Sequence, residues 1–201
     1  MCIRDRFWGA YEQAGSTLTL FADRYTELSL FGFAFPSSWF QMVQPACVIM
    51  FAPLFAWLWI NLGSREPSSP AKFALGLVFV GLAFVLLVPA ATMAQGGEGI
   101  RVSPWWLITA YAITELGELC ISPVGLSLVT KLAPLRILGL MMGVWFLSNS
   151  AGNKLAGYAA SFFSTMPLDT LFGTVAAITI VAGLILAVMV KPIRRMMGGV
   201  L

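Results

Sequence analysis

The chain has 201 residues, 59% of them hydrophobic and 10% charged, with a mean hydropathy of +0.86, a balance that excludes a water-soluble globular domain. The formal net charge of +3 comes from basic residues scattered singly over loops and one end rather than gathered in a stripe, which excludes a nucleic-acid partner. Histidine is absent, Asp23 and Asp169 lie at span ends, and Cys2, Cys47 and Cys120 lack ligand spacing, so neither an intramembrane enzyme nor a metal site is expected.

A bilayer core of about 30 Å needs roughly 20 mostly apolar residues per helix. Six stretches approach that length, 7–22, 39–62, 73–93, 105–129, 138–163 and 168–190, and predict an all-α polytopic membrane protein with six transmembrane helices. Residues 1–6, MCIRDR, are polar and abrupt, without the basic-then-apolar order of a signal peptide. They read as a truncation or foreign leader in front of a short first span whose cytoplasmic end is missing. In that span Glu12, Ser16 and Thr19 recur at i, i+4 and i+7, a polar stripe with an acid at depth.

An acid at mid-bilayer costs roughly 2.5–3.5 kcal/mol, so it faces a water-filled path, holds a proton or pairs with a cation. Lys154 is the cation the other spans offer, but near the external end of its span it serves equally well as a snorkelling residue. In the second span Gln41 and Gln44 precede Pro45; their amides either meet a polar substrate or bridge helices. Cys47, like Cys120, reads as a small apolar packing residue.

The fourth span, within ITELGELCISPVGLSLVTKLAP, is the most informative. On a 3.6-residue period Tyr111, Glu115, Glu118, Ser122 and Gly125 share one face, which predicts a wet stripe. Glu118 near the middle marks an ion or substrate path. Glu115 and Glu118, three residues apart, could share protons as a coupled pair; for either one, a structural hydrogen bond to a neighbouring helix is the alternative. Pro123 deletes a backbone hydrogen bond and Gly125 tolerates the geometry that results, predicting a kink of the kind found at transporter gates. In the fifth span Trp145, Asn149 and Asn153 share a face, the Trp suited to lining a pocket, while Gly139 and Gly143 have the spacing for close helix approach.

The connections GSREPSSPAK, QGGEGIRVSP and STMPLD carry turn chemistry and are too short for a soluble domain. Arg65, Lys72, Lys131, Arg136, Lys191, Arg194 and Arg195 fall on one side of the membrane, and Arg24 and Arg101 on the other. The first group places the tail, 191–201, and with six spans the N-terminus, in the cytoplasm. Residues 23–38 then form an external hairpin loop.

The segments FWGAYEQAGSTLTLFADR, FQMVQP with FAPLFAWLW after it, KFALGLVFVGLAFVLL, GELCISPVGLSLVTKLAP and MMGVWFLSNSAGNKLAG follow one another from Phe7 to about Gly157. Together they resemble the C-terminal half of the proton-dependent oligopeptide transporter family, a branch of the major facilitator superfamily. The resemblance implies that Glu118 receives the peptide's amino group and takes part in proton coupling. It implies that Glu12 exchanges between a proton and a basic partner in the other half, and that Trp145 lines the substrate pocket. Ser122, on the Glu118 face, joins that pocket. Gln44 stands where the family usually has Asn, keeping the amide chemistry but altering the contact, and Glu115 stands where the family seldom has an acid. The family's first-span motif, ExxERFxYY, and its basic residues for the peptide carboxylate are absent.

The expectation is therefore a fragment of a di- and tripeptide/proton symporter that works by alternating access. Protons are the coupling ion with no other cofactor, and the fragment is inactive without its N-terminal six-helix bundle. Short loops favour a bacterial inner (plasma) membrane. Other readings of the same residues are transport of nitrate or another metabolite on this scaffold, or a non-transporting half-bundle that assembles with a separately encoded partner.

Overall fold

In hydrocarbon a backbone must satisfy its own hydrogen bonds, so long runs of Leu, Val, Ala and Phe form helices. A computed structural model describes residues 2–30, 32–97 and 99–196. Its helices are α1 (Cys2–Tyr11), α2 (Thr17–Tyr25), α3 (Val43–Leu62), α4 (Ser69–Gln95), α5 (Trp105–Leu132), α6 (Leu138–Ser161) and α7 (Leu168–Met196). Among the described residues four segments are long and apolar enough to cross a membrane: Ser37–Leu62, which includes α3, together with α4, α5 and α7. The 24-residue α6 has the length, but Asn149, Asn153 and Lys154 reduce its apolar character.

The first apolar stretch, expected as one helix, is two. A 3-10 turn over Glu12–Gly15 separates α1 from α2, and Ser16 leaves helical space at φ −129° and ψ −91°. Glu12, Ser16 and Thr19 consequently do not form a stripe on one helical face. The break frees the Ala14 carbonyl, and such a group buried in a membrane must find donors. It accepts from Thr19 Oγ1 at 2.7 Å, Gln41 Nε2 at 2.9 Å and the Tyr111 hydroxyl at 3.4 Å.

After α2 the chain makes a short hairpin, β1 (Ser29–Leu30) with β2 (Phe33–Ala34), pairing Ser29 with Ala34 and Leu30 with Phe33. Gly32 turns it at φ 82°, where a side chain would be strained. The α4–α5 connection is tied to the end of α2: Val102 N donates to Tyr25 O at 2.8 Å and Glu27 N to Val102 O at 2.9 Å.

The core lies between α4, α7, α5 and the α1–α2 segment, with Phe7, Phe21, Leu77, Phe84, Leu87, Leu107, Tyr111, Leu168 and Phe172 fully buried or nearly so. Phe21 meets Phe172 edge-on at 5.5 Å between ring centroids. Helix α4 packs most extensively on α7 and then on α5, whereas α6 packs mainly on α1 and touches α5 little. Small residues set the crossings, as expected where lipid offers no hydrophobic drive to associate. A Cβ on Gly117 would stand 2.8 Å from the Gly76 carbonyl oxygen, and one on Gly76 equally close to Gly117 O. The Gly139/Gly143 pair singled out by its spacing takes no part: a Cβ on either would meet nothing within 4 Å. Ile49, Trp57 and Ile60 of α3 and Val188 of α7 are exposed, an apolar exterior suited to lipid or to another bundle.

Candidate functional site

Helix α5 sets Glu115 and Glu118 side by side on one face, and α1 ends by delivering Tyr11 to them. The Tyr11 hydroxyl lies 2.6 Å from Glu118 Oε2 and 3.0 Å from Glu115 Oε1. One turn on, Ser122 Oγ donates to Glu118 Oε1 at 3.3 Å. Tyr11 is held by its neighbours, stacked on Phe7 at 5.7 Å and edge-on to Trp8 at 5.3 Å.

The five-residue face of α5 is drier than its polar content suggests. Tyr111 and Glu115 are 0% exposed and Gly125 is buried, so Glu118 and Ser122 alone on that face are half-buried. The reason is packing: α3 and the α1–α2 turn cover its first half. Gln44, from the first turn of α3, directs its amide toward Glu115. Even so, Gln44 Nε2 and Glu115 Oε2 are both buried without completing a hydrogen bond.

Glu12, at the start of the 3-10 turn, is half-buried, within electrostatic range of Glu118 and beside the Asn153 amide of α6. No basic side chain joins these acids among the described residues. Lys154 is exposed, and the ion pair present links Lys72 to Glu66, with the Lys72 ammonium 4.4 Å above the Trp59 ring.

Trp145 is not in this cluster. Its indole packs on Gly125, where any Cβ would overlap the ring, and Phe73 closes the same spot. Together they line a cavity of about 490 Å³ between the α4–α7 ends, bordered also by Leu128, Met141 and Leu186, with no acid in its wall. Pro123 is exposed within α5, which runs unbroken from Trp105 to Leu132. Gly125 thus admits the Trp145 ring, a close-approach role that spacing to Pro123 does not reveal.

The structure brings Glu12, Gln44, Glu115, Glu118 and Ser122 together and leaves Trp145, Pro123 and Gly125 to one side. Tyr11 is the residue the sequence reading passed over. Its signal was an aromatic hydroxyl directly before an intramembrane acid, in a chain whose spans offer those acids almost no cation. Chemically the cluster is two carboxyls, a phenol, an amide and a hydroxyl around a half-open centre. Such a set can hold a proton or a primary ammonium.

A family model described as the POT family matches residues 2–181. The "Uncharacterized transporter YclF" of Bacillus subtilis is 46% identical over 195 residues, covering 97% of this chain and 39% of that protein. The "Peptide transporter YePEPT" of Yersinia enterocolitica is 37% identical over 197 residues, covering 96% of this chain and again 39% of the relative. A crystal structure of peptide transporter POT in complex with sulfate superposes with a TM-score of 0.88 at 40% identity, over 96% of this chain and 39% of that one. The chain thus spans 39% of the length of these relatives.

Proposed function

The chain belongs to the POT family, and from that premise we propose that it is one half of a proton-coupled symporter of di- and tripeptides. In this reading α1 and α2 together make one pass, α3 to α7 make five more, and the C-terminus is cytoplasmic in a bacterial inner membrane. A second six-helix bundle supplies the opposite wall of the site and the groups for the peptide carboxylate. The 201 residues alone do not transport.

The observation that carries the proposal is Glu118, a half-buried carboxylate on α5 with Tyr11 and Ser122 already oriented on it. A peptide's terminal ammonium adds a charge-assisted hydrogen bond to those the carboxylate already accepts. Bonds of that kind are worth about 1.5–3 kcal/mol, a factor of roughly 10–150 in affinity. Protonation of Glu118 or Glu12 removes the charge and lowers the cost of reorienting the bundle through lipid, which couples the proton gradient to alternating access. Glu115 adds a second proton-holding carboxyl beside Glu118, and Gln44 and Ser122 contribute polar contacts to the ligand. Trp145 on its Gly125 seat shapes the neighbouring apolar wall for side chains.

The test is proton-driven dipeptide uptake by the full-length protein in proteoliposomes. Glu118→Gln should lose coupled uptake by at least the roughly 10–150-fold that its charge-assisted contact represents. Normal coupled uptake by that variant would refute the assignment.

A further inference from the structure

We propose that Tyr11 is a proton relay that moves one proton between Glu118 and Glu115, so that Glu115 stores the proton Glu118 must give up when an amine binds. The inference rests on Glu118 receiving the peptide ammonium, as proposed above. It concerns what happens to the proton, which that reading leaves open.

The argument starts from a count of hydrogens. A phenol has one O–H to donate and lone pairs to accept with. At 2.6 and 3.0 Å from two carboxyl oxygens, Tyr11 cannot donate to both. If it donates to one, the other contact is filled only when that carboxyl carries its own proton and donates to the Tyr11 oxygen. The two contacts therefore require at least one protonated carboxyl, and one ionised with one protonated carboxyl satisfies both. Ionising both carboxyls would set two like charges beside one another at a site where Glu115 has no water contact and an unpaired Oε2.

Two arrangements of the same atoms follow. In the first, Glu118 is protonated and donates to Tyr11, which donates to ionised Glu115. In the second, Tyr11 donates to ionised Glu118 and accepts from protonated Glu115. They interconvert by two concerted hops: the Glu118 proton passes to the Tyr11 oxygen as the Tyr11 proton passes to Glu115. Atoms and charge balance, and nothing is exchanged with water. The second arrangement presents a carboxylate to an arriving ammonium. When the ammonium leaves, the reverse hops restore a neutral Glu118.

The surroundings leave the pair free to work this way. On the α1 side stand Tyr11 and, at longer range, Glu12; from α3 come the neutral Gln44 amide and the Cys47 thiol. From α4 the nearest cation, Lys72, bears on Cys120 and is paired with Glu66. From α6, Asn153 bears on Glu12. No cation among these holds both carboxyls ionised.

The experiment is infrared difference spectroscopy on the full-length protein as a dipeptide is added, reading the C=O stretch of protonated carboxyls, alongside calorimetry of dipeptide binding. The wild type should shift that band in frequency without losing its area, as one protonated acid replaces another. Glu115→Gln should abolish the gained component. Tyr11→Phe, which keeps the ring packed on Phe7 and Trp8, should slow the shift on the order of a hundredfold, the scale of a positioned proton-transfer group. A wild-type spectrum without such a shift, a Glu115→Gln spectrum identical to wild type, or an unslowed Tyr11→Phe would each overturn the relay. Absence of dipeptide heat in the wild type would instead refute the amine-binding reading beneath it, and the relay with it.

Discussion

Replacing Gly117 by alanine tests whether the α4–α5 crossing is set by backbone contact. The added methyl would stand 2.8 Å from Gly76 O, 3.1 Å from Val80 Cγ2 and 3.4 Å from Phe79 Cβ. Two of these three atoms are backbone or Cβ and cannot swing aside, so the helices must part. Overpacking of this kind costs about 1–3 kcal/mol. Alanine returns about 1 kcal/mol through its better helix propensity, leaving a net loss of roughly 0–2 kcal/mol. Gly139→Ala is the control, because a Cβ there meets nothing within 4 Å and only the propensity gain remains. The two variants should differ by about 1–3 kcal/mol, read as thermal unfolding midpoints of the purified full-length protein. Gly139→Ala should sit at or above wild type and Gly117→Ala below it. Because Gly117 adjoins Glu118, the displaced α5 should also weaken the 2.6 Å Tyr11 contact and lower dipeptide uptake. Equal midpoints for the two alanine variants would refute the close-crossing account.

Gly125→Ala should unseat Trp145, lowering the unfolding midpoint by the equivalent of about 1–3 kcal/mol; adding Trp145→Phe should recover part of the loss, which a double-mutant cycle would register as coupling. Glu66→Gln should destabilise by about 1–2 kcal/mol, less than for a sealed pair because the Glu66 side chain is 39% exposed while that of Lys72 is 8% exposed. The double change Glu66→Gln with Lys72→Met should return toward wild-type stability, since removing both partners leaves no uncompensated charge.

Much of the site was legible along α5, because helical periodicity alone places Glu115, Glu118 and Ser122 on one side of it. What periodicity could not say is what covers that side. Glu115 was read as wet, and it is sealed because α3 and the end of α1 lie over it. The break after Tyr11 was equally invisible, since Glu-Gln-Ala-Gly carries a single glycine and no proline, and its cost is offset by donors from Gln41 and Tyr111, far away in sequence. Spacing nominated Gly139 and Gly143, but close approach depends on which helix arrives opposite. The glycines that meet are Gly76 and Gly117, each unremarkable in its own segment. Tyr11 passed unseen for the same reason: its hydroxyl acquires meaning only when α5 is set against α1.

The break between α1 and α2 divides the loyalties of the first apolar segment. Above it, the Ala14 carbonyl and the strand-like tie from Tyr25 to Val102 bind α2 to the segment before α3 and to the start of α5. Below it, α1 lies chiefly along α6 and reaches α5 by one phenol. The packing of α1 continues onto α7 and α4, so the two halves of the segment are held by different sets of neighbours. Displacing α1 from α5 would break the Tyr11 contact to both carboxyls together with the α1 packing on α7 and α4, so the hydrogen bonding of Glu118 is tied to both sides of the break.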